Sequence, residues 1–172
     1  MASPGTTSPG TTSPGTTSPG TTSIVITGAN GFIGRLLADQ LTVGTRVTIG
    51  GQERTIGKRT LVDQYIPDST GDGSSDEGEW IQGDLGGLIA DRPEIFTGAD
   101  VVVHLASAVS GECEADLDLG LNANLFTGVA LGRCLAAAPH KPMLLFSSSL
   151  AIYGGTPDMP LVELITDTTR PT

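Results

Sequence analysis

The sequence has few cations, few aromatic residues and only two cysteines. Nine lysines and arginines stand against 19 aspartates and glutamates, which gives a formal net charge of -10 and a pI near 4.3. Nucleic acids and anionic membranes require a basic face, so this balance argues against both as partners. Cys113 and Cys134 are too few for a disulfide framework, and we expect both to be reduced thiols in a reducing compartment.

Long hydrophobic runs are absent as well. No stretch of about 18 apolar residues occurs and the N-terminus has no hydrophobic signal core, so a cytoplasmic location is the default expectation. Four copies of Ser-Pro-Gly-Thr-Thr fill residues 3–22. Because nothing in the repeat is apolar enough to pack, residues 1–23 are predicted to be a disordered leader, with an O-glycosylated stalk as the less favoured alternative. Residues 24–172 suffice for one domain.

Residues 24–34, with the sequence I-V-I-T-G-A-N-G-F-I-G, carry the strongest functional signal. Their first three residues form a β-branched run of the kind found in strands that are buried on both faces. The apolar residues that follow recur at helical spacing: Phe32, Ile33, Leu36, Leu37 and Leu41. The segment therefore predicts a strand, a glycine turn and an amphipathic helix.

Three glycines in this segment suit a dinucleotide site. Gly28 would allow a tight turn off the strand, Gly31 would let a pyrophosphate approach the backbone, and Gly34 would let the helix pack closely. The free N–H groups at the helix N-terminus would face the phosphates. A purely structural turn is the alternative.

Asp63 ends the second predicted strand, residues 60–63. An acid at this place in a dinucleotide fold accepts hydrogen bonds from the adenosine ribose and repels a 2′-phosphate, so Asp63 favours NAD over NADP. It lies 29 residues after Gly34, where a distance of about 20 from the motif is usual. A polar insertion at residues 43–59 is expected to account for the excess.

Three cations precede that strand, and two readings of them are open. Arg54, Lys58 and Arg59 are expected to lie in a solvated loop, with phosphate binding as the less favoured reading. Residues 67–79 are rich in Gly, Ser and Asp and predict a mobile loop.

Asp84 follows a brief third strand predicted at residues 80–82 and precedes a helix predicted at about residues 88–96. An acid at this place lies near the adenine end of a dinucleotide cleft and can accept a hydrogen bond from the exocyclic amine. The same residue can instead cap the helix N-terminus. The spacing leaves both roles open.

The most apolar run of the chain, residues 101–106, predicts the fourth strand. A lone histidine within such a strand is more often a packed core residue than a catalytic one, and His104 is expected to be one. The small residues 106–108 could lie under a cofactor. Residues 117–138 predict a long helix, and residues 143–146 predict the last strand. The expected apolar side of the helix comprises Leu121, Leu125, Val129, Leu131 and Leu135.

Five segments in this order resemble the N-terminal half of an extended short-chain dehydrogenase/reductase. They are T-G-A-N-G-F-I-G at 27–34, G-D-L at 83–85, V-V-H-L-A-S at 102–107, N-L-F-T-G at 124–128 and F-S-S-S-L-A-I-Y-G at 146–154. The resemblance implies an α/β fold with a Rossmann-type doubly wound parallel sheet and NAD as the cofactor. Within that group, residues 104–120 are similar to the D-erythronate dehydrogenase branch, which implies a small sugar acid as substrate.

The resemblance also assigns residues to the cofactor site. These are Gly28, Asn30, Gly31, Phe32, Ile33, Gly34, Asp63, Asp84, Leu85, Leu105, Ala106, Ser107 and Asn124. No metal is expected.

For catalysis, the family places a serine four residues before the aromatic residue of the last segment. That position is Ser149, with Ser148 as the fallback, and Ser149 would hydrogen-bond the reacting hydroxyl. The catalytic base of the family is the tyrosine of a Tyr-x-x-x-Lys motif, and neither Tyr65 nor Tyr153 is followed by lysine at the required distance. Ser110 is the candidate for the substrate carboxylate.

The chain is thus expected to stop before the catalytic helix and the substrate domain. We expect it to be inactive alone and to self-associate through an exposed apolar face beside residues 143–146, whereas the complete protein would be a homodimer. A nucleotide-sugar epimerase or dehydratase fragment and a non-catalytic NAD-binding protein are the alternatives.

Overall fold

The computed structural model describes residues 20–67 and 78–154, and residues 158, 160, 166 and 168–171 further on; the side chains of residues 110, 150 and 151 lie outside this description. The predicted loop at residues 67–79 therefore falls largely outside the described residues. The strands are β1 (Gly20–Thr27), β2 (Arg46–Ile49), β3 (Gln52–Asp63), β4 (Glu79–Gln82), β5 (Val101–His104) and β6 (Met143–Phe146). The helices are α1 (Phe32–Gln40), α2 (Leu85–Asp91), α3 (Glu94–Thr97), α4 (Ser110–Ala115), α5 (Leu117–Gly120) and α6 (Thr127–Ala137), with a π-helical turn (Leu121–Phe126) between α5 and α6 and a 3-10 helix (Leu150–Tyr153).

One sheet holds the six strands of the described residues, in the order β2, β3, β1, β5, β6, with β4 pairing with the second half of β3. Every pairing is parallel except that of β2 with β3. The five strands predicted from the sequence are the parallel ones. The Rossmann-type parallel sheet is therefore confirmed, with one antiparallel strand added at its edge.

Strand β1 lies at the centre because its side chains are apolar on both faces. Val25 packs with Val62 and Val102 on one face, in a cluster that includes Phe96 and Leu131. Ile24 and Ile26 pack on the other face, in a second cluster with residues of α1, β3 and β5. Helices of the chain contribute to both clusters, as burial of both faces of a parallel sheet requires.

The predicted leader boundary at residue 23 is wrong, because β1 begins at Gly20. The segment Gly20–Thr22 pairs with residues 54–56 of β3, and Thr22 is 2% exposed. One oxygen of Asp100 accepts hydrogen bonds from the Ser23 main-chain N (2.8 Å), the Ser23 hydroxyl (3.0 Å) and the Thr22 hydroxyl (3.3 Å). The bond from the Ser23 main chain is the largest influence that holds the pKa of the Asp100 carboxyl below its usual value.

The expected polar insertion is a β-hairpin. Strands β2 and β3 join through Gly50 and Gly51, whose φ angles of 57° and 77° suit the type I′ turn that matches strand twist. Arg59 is a strand residue that is only 5% exposed, and its Nη1 donates to the Ala38 carbonyl of α1. The loop prediction is therefore wrong for Arg54, Lys58 and Arg59, and Arg59 ties α1 to the sheet.

The helices differ from the prediction in three ways. The predicted helix over residues 88–96 is two helices, α2 and α3, separated at Pro93. The segment between the fourth predicted strand and the long helix, for which no helix was predicted, contains the short helix α4. The long helix after it has the predicted extent and contains the π-helical turn, but Leu131 and Leu135 are buried whereas Leu125 and Val129 are exposed. Val129 lies two positions before Leu131 and therefore on the opposite side of α6.

Both cysteines are free, as predicted, and burial raises the pKa of the Cys134 thiol. All four side chains of β6 are exposed. Self-association through this face stays a prediction.

Candidate dinucleotide site

A cleft of about 420 Å³ opens at the carboxyl ends of the parallel strands, where ligands bind in open α/β sheets. Its lining comes from the ends of β1, β3 and β5 and the segments that follow them, from the start of α2, and from the long helix. The lining residues are Thr27, Gly28, Asn30, Gly31, Val62, Asp63, Gln64, Tyr65, Gly83, Asp84, Leu85, Leu105, Ala106, Ser107, Ala108, Glu112, Leu119, Ala123 and Thr127.

The glycine turn has the geometry predicted for two of its three glycines. Gly28 has a φ of 69°, and a Cβ there would lie 2.7 Å from the Ala106 main-chain N. A Cβ on Gly34 would lie 2.1 Å from the Gly28 carbonyl oxygen. The turn and the close helix contact are therefore confirmed. Gly31 has an ordinary φ and a Cβ there would meet only the Gly28 oxygen, at 3.2 Å, so its role toward a pyrophosphate stays a prediction.

The N-terminus of α1 begins beside the cleft. Gly31 is its N-cap residue, and no side chain of the described residues caps it and no acid lies in its first turn. Main-chain N–H groups there are consequently free to receive an anion. Phe32 and Ile33 do not line the cleft, and Phe32 is 83% exposed. Gly34 and Ala38 form the buried side of α1. Of the five apolar residues at helical spacing, Leu37 and Leu41 pack against the buried cluster, whereas Phe32, Ile33 and Leu36 are exposed.

Asp63 holds the glycine turn as well as lining the cleft. Its Oδ2 accepts a hydrogen bond from the Asn30 main-chain N at 2.9 Å, and its Oδ1 accepts one from the Tyr65 main-chain N at 3.1 Å. The Asn30 side chain is fixed in turn by the Arg35 guanidinium, at 2.7 Å from Nη2 to Oδ1. Two main-chain N–H groups thus fix the carboxylate, which lies at the strand end where the ribose contact was predicted.

Asp84 is the N-cap of α2, and its Oδ2 accepts from the Gly87 main-chain N at 2.8 Å. Asp84 and Leu85 both line the cleft, close to the end of β3. Of the two roles left open by the sequence, the cap is therefore confirmed, and the contact with adenine stays a prediction.

The residues after β5 that line the cleft are positioned by a buried pair of polar side chains, Thr27 and His104. The Thr27 hydroxyl and His104 Nδ1 share a hydrogen bond of 2.8 Å, and the Ala106 main-chain N donates to the same hydroxyl at 3.4 Å. His104 is 3% exposed, and burial lowers the pKa of its imidazole below the usual value. The prediction of a core histidine is confirmed. Leu105, Ala106 and Ser107 follow it along the cleft wall, as expected for residues beside a cofactor.

Asn124 lies outside the cleft lining and fixes the loop after β5. Its Oδ1 accepts from the Ala108 main-chain N at 2.8 Å, and its Nδ2 donates to the Ala108 carbonyl at 3.0 Å. The π-helical turn carries this side chain. The contact of Asn124 with the cofactor stays a prediction, and the bonds that the structure shows for its amide go to the Ala108 main chain.

Of the two predicted substrate residues, Ser149 is not among the described residues that line the cleft. Ser149 is exposed, and its carbonyl accepts from the Ile152 main-chain N at 3.3 Å. Ser110 is the first residue of α4, and its side chain is outside the described part of the structure. Glu112, two residues later, does line the cleft, and its Oε2 accepts from the Val109 main-chain N at 3.2 Å.

Sequence reasoning missed several lining residues. These are Thr27, Val62, Gln64, Tyr65, Gly83, Leu119, Ala123 and Thr127. Ala123 and Thr127 stand four positions apart, a spacing that places two residues on one face of a helix. Tyr65 carried a signal too, because it is an aromatic residue two positions after the acid that ends β3.

Among the described residues, no group of three or more His, Cys, Asp or Glu side chains is arranged to hold a metal ion. The helices in that part of the chain are also too short or too polar to cross a membrane.

Comparison with known proteins agrees with this geometry. The model of the NAD dependent epimerase/dehydratase family matches residues 24–172. D-erythronate dehydrogenase from Cupriavidus necator is 38% identical over 133 residues, which are 77% of this chain and 40% of that protein. The Haemophilus influenzae enzyme of the same name is 33% identical over 147 residues, 85% of this chain and 42% of that protein.

Among solved structures, the nucleoside-diphosphate-sugar epimerase from Agrobacterium tumefaciens is similar with a TM-score of 0.70 and 29% identity, over 94% of this chain and 46% of that one. The chain spans less than half the length of the curated relatives that it matches. The family match covers nearly all of the described residues, glycine turn and cleft included. The chain therefore belongs to the NAD dependent epimerase/dehydratase family.

Proposed function

We propose that this chain is the cofactor-binding part of an NAD-dependent dehydrogenase that oxidises a hydroxyl of a small sugar acid such as D-erythronate. The observation that carries the proposal is the cleft in which the Gly28 turn, the uncapped N-terminus of α1 and the Asp63 carboxylate meet. Both curated relatives are D-erythronate dehydrogenases, which supports the substrate class. A cytoplasmic location and a homodimer of the complete protein are part of the same proposal.

The residues present fit NAD. Gly28 and Gly31 place no side chain of their own beside the free N–H groups of α1, where the pyrophosphate would lie. Asp63 would accept hydrogen bonds from the adenosine ribose, and Asp84 and Leu85 would border the adenine. Ala106 and Ser107 would lie under the nicotinamide half. The cofactor, when bound, supplies the hydride acceptor.

For the substrate, we propose that Ser149 orients the reacting hydroxyl and that Ser110 lies by its carboxylate. Both assignments rest on the family resemblance. The similarity to the Agrobacterium epimerase favours a second candidate, a nucleotide-sugar epimerase, whose substrate would carry a diphosphate.

Replacing Gly31 with valine tests the cofactor site. A Cβ at Gly31 meets one carbonyl oxygen at 3.2 Å, so the fold should persist while the branched side chain crowds the pyrophosphate. We expect calorimetry to show at least about tenfold weaker NAD binding, a loss of roughly 1.4 kcal/mol, with an unchanged melting temperature. Gly132→Val in α6 is the control, because nothing lies within 4 Å of a Cβ there. Equal NAD affinity of the Gly31 variant and the control would show that the turn is structural only.

The 172-residue chain alone should not reduce NAD in the presence of D-erythronate. Oxidation of an alcohol needs a base within hydrogen-bond reach of the hydroxyl, and the sequence contains no tyrosine followed four positions later by lysine. The measurement is the appearance of NADH absorbance, at a chain concentration at which calorimetry shows bound NAD. Turnover that Ser149→Ala abolishes would mean that a base within this sequence has been overlooked.

A further inference from the structure

Tyr65 is an exposed aromatic residue on the rim of the cleft. Its side chain is 71% exposed and lines the cleft together with Asp63 and Asp84. Other exposed aromatic rings of the described residues, those of Phe32, Phe126 and Phe146, do not line the cleft. Tyr65 therefore places an exposed aromatic side chain at the cleft, beside the acid at the end of β3.

The backbone that carries this ring is fixed at three points. The Tyr65 main-chain N donates to Asp63 Oδ1 at 3.1 Å. Gln82 Nε2, at the end of β4, donates to the Gln64 carbonyl at 3.0 Å, and the Gly83 main-chain N donates to the Asp63 carbonyl at 3.0 Å. The main chain at Tyr65 is thus set before any ligand arrives, so only the side-chain torsions of the ring remain to be ordered on binding.

The Asp63 carboxylate places the main chain of Tyr65 beside the proposed ribose contact. Asp63 holds the Tyr65 N with one oxygen and the Asn30 N of the glycine turn with the other. In a dinucleotide whose pyrophosphate lies on the turn and whose ribose lies on Asp63, the base projects beyond the ribose, away from the turn. The ring of Tyr65 and the start of α2 at Asp84 and Leu85 border the cleft at that end.

We propose that Tyr65 stacks on the adenine of NAD and is a determinant of cofactor affinity. A purine presents a flat π face, and an aromatic side chain is the group that packs against it with the least loss of conformational freedom. The proposal rests on the proposed cofactor site and adds to it the residue that holds the base.

The test is calorimetry on the full 172-residue chain with NAD and with ADP-ribose, which keeps the adenine and lacks the nicotinamide. Tyr65→Ala should weaken both ligands by the same factor, roughly tenfold or more, because one base–aromatic stack is lost. Tyr65→Phe should bind both as the unsubstituted chain does. Phe126→Ala, which removes an exposed ring outside the cleft, is the control.

The outcomes separate this proposal from the proposed function. If the unsubstituted chain binds NAD and Tyr65→Ala binds it equally well, or if Tyr65→Phe loses as much affinity as Tyr65→Ala, the stacking is wrong and the cofactor site stands. A loss with NAD but none with ADP-ribose would also overturn the stacking on adenine. If the unsubstituted chain binds neither ligand, the cofactor site itself is wrong.

Discussion

Replacing Gly34 with alanine should lower the free energy of unfolding by about 3 kcal/mol, the upper end of the usual cost of overpacking. The added Cβ would lie 2.1 Å from the Gly28 carbonyl oxygen and under 3 Å from two main-chain atoms of Ala29. Because these neighbours are backbone atoms of a tight turn, α1 must move away from the sheet to relieve the contact. Urea unfolding followed by circular dichroism measures the change.

Gly132→Ala is the matched control for this experiment. It adds the same methyl group inside a helix, at a site where nothing lies within 4 Å, and should stabilise the chain by up to about 1 kcal/mol through the better helix propensity of alanine. Similar unfolding midpoints for the two variants would contradict the close contact of α1 with the glycine turn.

Replacing Asp63 should have the largest effect on cofactor binding. Asp63→Ala removes the proposed acceptor of the ribose hydroxyls and leaves the Asn30 and Tyr65 N–H groups without their shared partner. Hydrogen bonds to a charged group contribute about 1.5–3 kcal/mol each, so NAD affinity should fall by roughly a hundredfold, or about 2.7 kcal/mol. Asp63→Asn keeps one acceptor oxygen and loses the charge that repels a 2′-phosphate. It should lose less NAD affinity and narrow the preference for NAD over NADP.

Calorimetry with NAD and NADP measures both effects. Asp39→Ala, which removes an exposed acid of α1 that does not line the cleft, controls for the change in net charge. Equal or tighter binding of NADP by the unsubstituted chain, or unchanged NAD binding by Asp63→Ala, would remove Asp63 as the determinant of cofactor choice.

The parallel strands were predictable because strands buried on both faces have short, continuous β-branched runs, as at residues 24–26 and 101–103. The hairpin of β2 and β3 was not predictable in this way, since β2 and the first half of β3 are largely polar and show no apolar run. The Gly50–Gly51 pair is the sequence signal for the two-residue loop of this hairpin. The buried side of α1 was predicted only in part: the close contact at Gly34 was expected, whereas Ala38, a small residue with little hydrophobic signal, was not identified.

In the candidate site too, the sequence predicts some residues but not the long-range contacts that place them. Asp63 was predictable as the acid at a strand end, whereas its bond to the Asn30 N joins residues 33 positions apart and depends on the register of β1 against β3. Asn124 was assigned to the cofactor by the family resemblance, and the π-helical turn that carries it could not be predicted from helical spacing. That turn directs its amide at the Ala108 backbone.

The start of β1 within the last Ser-Pro-Gly-Thr-Thr copy has a practical consequence for trimming the chain. A shortened protein designed on composition alone would begin at Ser23 and would discard Gly20–Thr22, which pair with residues 54–56. It would also replace the buried Thr22 with a charged amino terminus next to the Asp100 carboxylate. A cut before Gly20 preserves the whole strand, so the permissible boundary for an expression clone lies inside the repeat and not after it.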